Sequence, residues 1–98
     1  MEIPVTIDRD LEDLIPGYID NRHKDLVLIQ EALHAGDFEK IRIIGHSMKG
    51  SGGGYGFEAI TIIGKGLEEA AKAGQSQEIE RLAEELSRYL IDVRITYE

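Results

Sequence analysis

His46 is the residue of this chain best placed to do chemistry, because of what stands three, four and seven positions from it. Arg42 lies at i−4, Lys49 at i+3, and Gly50 and Gly53 at i+4 and i+7. At about 100° per residue these four positions share the histidine's face of a helix, while Ile41, Ile44, Met48, Ser51 and Tyr55 fall within roughly 40° of the opposite direction. The spacing predicts an imidazole that faces solvent, between two cations and two positions without side chains. An accessible imidazole can act as a nucleophile, and cations beside it stabilise an anionic group bonded to it; phosphate suits such a site. Glycines keep the surface low enough for another backbone to approach. From Asp37 to Gly56, Lys40, Arg42 and Lys49 stand against Asp37 and Glu39, so the basic character is local to the histidine. A plain solvated face is the ordinary alternative for a histidine beside a lysine.

Composition narrows the chemistry further. With 98 residues the chain has room for one domain, residues 1–98, and one small core. Eleven Lys and Arg against 19 Asp and Glu give a net charge of −8, which repels phosphate backbones and anionic lipid. No nucleic-acid partner is expected. The absence of cysteine excludes disulfides, thiolate zinc sites, iron–sulfur ligation and a cysteine nucleophile. Met1-Glu2 offers no basic leader and no apolar stretch approaches the roughly 20 residues of a membrane span, so the expectation is a soluble cytoplasmic protein with no membrane contact.

Four helices must position the histidine. Leu11, Leu14, Ile15, Tyr18, Leu26, Ile29 and Leu33 recur at helical spacing over about 9–35, with a break at Pro16, which cannot donate an interior helix bond. Ala35-Gly36-Asp37 reads as a C-cap glycine followed by an N-cap aspartate, opening a second helix over 38–55. Its end is contested. Gly50, Gly52, Gly53, Gly54 and Gly56 would together cost a helix roughly 5 kcal/mol against alanine, so propensity says loop where periodicity says helix. Phe57, Ile60, Ile63, Leu67, Ala70 and Ala71 mark a third helix over 57–73, stopped by Gly74. Ser76 is expected to cap a fourth over 76–94, striped by Ile79, Leu82, Ala83, Leu86, Leu90 and Val93. At the two ends Ile3, Val5 and Ile7, and Ile91, Val93, Ile95 and Tyr97, alternate with other residues. Period two predicts short strands, expected to pair antiparallel where an up-down bundle brings its termini together.

The run from His46 through Met48-Lys49-Gly50-Ser51 to Gly56-Phe57, followed by Leu67-Glu68 and Ala70-Ala71, resembles the signature of histidine-containing phosphotransfer (HPt) domains over residues 41–73. The signature has a His, then a hydrophobic residue, Lys, Gly, a small residue, and a Gly ten positions after the His. The Gly52-Gly53-Gly54 run is richer in glycine than that pattern. The resemblance implies an all-α, antiparallel four-helix bundle and a helix continuing to about Tyr55. It also implies that His46 takes a phosphoryl group from a receiver-domain aspartate and passes it to another receiver. Lys49 would neutralise developing phosphoryl charge, and Gly50 and Gly53 would make room for the receiver. Arg42 receives a supporting role from the wheel alone, and Ile43, about 60° from His46, could either touch a partner or pack on a neighbouring helix. The implied partners are response-regulator receivers and hybrid histidine kinases, the implied state a monomer. The chain itself would be a phosphocarrier, not an enzyme with kinase activity, and would need no cofactor; magnesium would sit on the partner. The alternative is a helical adaptor that docks a receiver or kinase without being phosphorylated.

Other motifs lead nowhere comparable. The glycine run follows no strand and lacks the Gly-Lys-Ser/Thr ending of a nucleotide loop. Glu31-Ala-Leu-His34 has the Glu-x-x-His spacing of di-iron bundles but no second copy. His34 reads as a helix C-terminal charge, and His23, Lys65 and Lys72 as solvated surface, with Lys65 able to extend the basic patch if the third helix packs beside His46. Gly64 and Gly66 read as close helix packing.

Overall fold

A computed structural model describes residues 1–98. The apolar periodicity produces four helices, α1 (Ile15–His34), α2 (Phe38–Ser51), α3 (Glu58–Lys72) and α4 (Ser76–Asp92), flanked by strands β1 (Ile3–Ile7) and β2 (Val93–Tyr97). Connections of a few residues make successive helices antiparallel neighbours, and the four stripes close on one core that includes Ile15, Ile29, Ile41, Met48, Phe57, Ile60, Leu67, Ile79 and Leu86. No helix is long and apolar enough to cross a membrane.

The helix ends follow local chemistry. Pro16 sits in the first turn of α1, where its missing N–H has no intrahelical partner to lose. Ahead of it the expected helical piece is only a 3-10 turn over Arg9–Leu11, with the Asp8 carboxylate accepting from the Asp10 N–H at 2.9 Å. Asp37 caps α2 as expected, accepting from the Lys40 N–H at 3.1 Å. Ser76, by contrast, is the first residue of α4 and not its cap. The fourth helix ends at Asp92, two residues before the expected limit, because Val93 turns to extended backbone.

The terminal strands form, but they pair in parallel, with Ile3 opposite Val93 and Ile7 opposite Tyr97. The antiparallel expectation overlooked a reversal. Residues 8–14 must turn the chain around for it to enter α1, α1 runs against α4, and β2 continues straight out of α4. Two reversals leave β1 and β2 pointing the same way. The Glu98 N–H donates to the Ile7 carbonyl at 3.1 Å, so Ile3, Val5 and Ile7 bond across the pair. Pro4, which has no N–H, therefore falls on the open edge where none is required.

Candidate functional site

His46 projects from α2 with its side chain 65% exposed, while Ile41 and Met48 on the opposite face are fully buried. Its Nδ1 lies 2.8 Å from Oε2 of Glu68, on α3, and the other carboxylate oxygen accepts from Lys49 Nζ at 2.7 Å. Lys72 Nζ stands 4.0 Å from Oε2. Glu68 is only 5% exposed, yet its pKa is pulled down to about 2: the Lys49 hydrogen bond outweighs burial, and the His46 bond and the charges of Lys49 and Lys72 add to it. An ionised carboxylate has only acceptors, so the 2.8 Å contact requires the proton to be on Nδ1. In the neutral imidazole Nε2 then carries the free lone pair.

Two glycines bring Glu68 within reach. A methyl on Gly45 would stand 2.7 Å from the Glu68 amide nitrogen and 2.8 Å from the Gly64 carbonyl oxygen; one on Gly64 would stand 2.5 Å from the Lys49 amide nitrogen. Side chains there would force α2 and α3 apart. Because they are missing, the backbones touch beside His46, and Glu68, one turn beyond Gly64, meets the imidazole. Gly64 thus does what close packing predicts.

The glycine-rich segment stays right-handed. After Gly52 caps α2, Gly53–Tyr55 tightens into a 3-10 turn in place of the expected α-helix, and the left-handed backbone arrives only at Gly56, with φ of 94°. Thr61 on α3 holds this turn: its Oγ1 accepts from the Gly53 N–H at 2.7 Å and donates to the Lys49 carbonyl at 3.3 Å. From the other side Tyr18 of α1 stacks on Tyr55, ring centroids 4.3 Å apart, and its hydroxyl meets Ser51 Oγ at 3.0 Å. Gly50 and Gly54 face open space, and a methyl on Gly53 would touch only Thr61 Oγ1, at 3.6 Å.

His46 and Lys49 are therefore brought together, joined through Glu68, with Gly50 and Gly53 leaving the surface beside them low. Arg42 is not joined to them; its guanidinium pairs with Glu39 one turn earlier, which lowers the Glu39 carboxyl and raises Arg42. Ile43 is 54% exposed, so more than half of it is open to solvent. Sequence reasoning missed Glu68, Gly45 and Thr61 as site residues. The available signal was an acid at the edge of the third helix's apolar stripe, four residues after a glycine. Lys72, read as solvated surface, proves to lean toward the same carboxylate.

A family model of the Hpt domain matches residues 13–95, which takes in all four helices and the site around His46. The chain belongs to the Hpt domain family. Hpt domains serve histidine phosphotransfer in two-component phosphorelays, as carriers and not kinases, and meet receiver and kinase domains. No curated protein and no solved structure gives a match to this Hpt domain.

Proposed function

We propose that His46 accepts a phosphoryl group from the aspartyl phosphate of a receiver domain and passes it to a second receiver. The observation that carries this reading is the ionised Glu68 carboxylate on Nδ1, which leaves the Nε2 lone pair on the exposed edge of the ring. That pair attacks phosphorus. The N–P bond forms as the acyl-phosphate P–O bond breaks, the donor carboxylate leaves with the electron pair, and the Nδ1 proton stays on the ring, shared with Glu68. The ring becomes cationic in the step, and the fixed carboxylate beside it stabilises that charge without reorganising. Onward transfer is the same step in reverse, to another aspartate.

Lys49 is the cation placed to neutralise phosphoryl oxygens, by turning from Glu68 Oε1 toward Nε2. Gly50 and Gly53 let the receiver's backbone approach, and Ile43 offers it an apolar contact. Arg42, tied to Glu39, adds positive potential over the docking face and no direct contact with the phosphoryl group. Magnesium for the aspartyl chemistry is the receiver's to hold.

Incubation of the pure protein with a panel of phosphorylated receivers tests the reading. The expected result is an acid-labile, base-stable label from at least one receiver. Binding of receivers with no label from any of them would make the chain a docking adaptor instead.

A further inference from the structure

Glu68 has more cationic neighbours than its bond to the imidazole requires. Lys49 reaches Oε1 from α2 at 2.7 Å, and Lys72, one turn after Glu68 on α3, holds its Nζ 4.0 Å from Oε2, the oxygen that receives the Nδ1–H. That gap is too long for a hydrogen bond. The Lys72 side chain is 59% exposed and free to close it. The second cation gains a role once a phosphoryl group, carrying about two negative charges, stands on Nε2. An ammonium drawn toward the phosphoryl oxygens shares its single charge between them and Oε1 and so serves the carboxylate less well. When Lys49 turns toward the phosphoryl group, a carboxylate that is almost wholly buried loses the ammonium bonded to Oε1 and keeps only the imidazolium N–H on Oε2, and a buried charge stripped of part of its pairing is costly.

We propose that Lys72 is a positioning residue, the relief cation of Glu68: it closes on the carboxylate as Lys49 turns to the phosphoryl group, so that Glu68 stays paired and keeps its hold on the Nδ1–H through the transfer. This rests on the reading of His46 as the phosphoryl carrier. Lys72 does not touch the reacting atoms. Its effect passes through Glu68 alone, which separates it from a lysine that merely decorates α3 or attracts a receiver.

The test uses the full chain and phosphoramidate, a small phosphoryl donor that needs no receiver, with the rate of His46 labelling followed by ³¹P NMR. Lys72→Ala should label about two- to fivefold more slowly than wild type at low salt, the range expected for one exposed cation, and Lys72→Arg should restore the rate. In 1 M salt, where the screening length falls to about 3 Å, the Lys72→Ala deficit should shrink, though not vanish, because one partner of the pair is buried. In a Glu68→Gln background, where no carboxylate needs relief, Lys72→Ala should change nothing further. A Lys72→Ala protein that labels as fast as wild type overturns the proposal and leaves the carrier reading standing. So does an equal deficit in the Glu68→Gln background, which would put Lys72 on the donor directly, or a failure of arginine to rescue. No label at His46 of the wild-type chain, from phosphoramidate or from any phosphorylated receiver, would overturn the proposal and the carrier reading together.

Discussion

Glu68 is held ionised by a hydrogen bond from Lys49, with His46 and Lys72 adding to it against the cost of burial. Its folded-state pKa, about 2, lies below the ordinary value of 4.5, so its contribution to stability is fully present above about pH 4.5 and is lost as pH falls toward 2. Thermal melts of wild type and Glu68→Gln should therefore differ by a constant amount from pH 5 to 7 and converge below pH 4.5. A gap that persists unchanged at pH 2.5 would show that the charge plays no part. The kinetics should separate orientation from charge. Glu68→Ala, which frees the imidazole to rotate, should slow phosphoryl acceptance roughly tenfold or more, and Glu68→Gln, whose amide oxygen still accepts the Nδ1–H, should lose less. Equal losses in timed transfer assays would mean that holding the ring does not matter. His46 and Lys49 were legible in the chain because both fall on one face of one helix. Glu68 and Lys72 were not, because they reach the site from α3, and a helical wheel describes a single helix.

At the scale of elements, the approach of α2 to α3 decides whether that carboxylate arrives at all. Gly45→Ala or Gly64→Ala sets a methyl against the facing backbone, at 2.7 and 2.5 Å, and neither backbone can yield as a flexible side chain would. Each should cost about 1–3 kcal/mol in denaturant melts and slow transfer as well, since Glu68 moves away with α3. Gly50→Ala meets nothing within 4 Å and should raise stability by roughly 0.5–1 kcal/mol through helix propensity. Were all three variants to melt alike, close approach of the helices would not be what these glycines serve. Bulk divides the glycine-rich segment the same way. Gly53→Gln should stay folded and block receivers, whereas Gly52→Gln, aimed at the Thr61 backbone nitrogen and the Phe57 carbonyl, should lose stability first. The helices themselves could be read from periodicity because each carries a continuous apolar stripe. The contest at residues 52–56 could not be settled that way, since a 3-10 turn satisfies both signals: it stays right-handed, and Thr61 and Tyr18, supplied by α3 and α1, hold it through a hydrogen bond and a stacked ring.

For the whole molecule, the net charge of −8 repels phosphate-rich polymers, and the lysines beside His46 set one small face apart from that background, as the proposed carrier role requires. The terminal strands seal the end of the bundle near Gly56, where Ile7 is 1% exposed and its Cδ1 would lie 2.7 Å from a methyl placed on that glycine. Ile7→Ala should accordingly cost about 2–4 kcal/mol, measurable by denaturant unfolding, although the residue lies outside every helix. Alternation alone revealed these strands, but not their direction, which depends on the reversal at residues 8–14. His46 carries the proposed chemistry on a side chain that is mostly in solvent and can be changed without disturbing the core. The most direct measurement is therefore timed labelling of wild type and His46→Gln by one phosphorylated receiver, with melting curves of both. The predicted result is an acid-labile label on wild type and none on a variant that stays folded and melts within about 8 °C of it, the shift expected for weakening one bond to Glu68 by about 1 kcal/mol. A His46→Gln protein that still takes up label at the wild-type rate would contradict it.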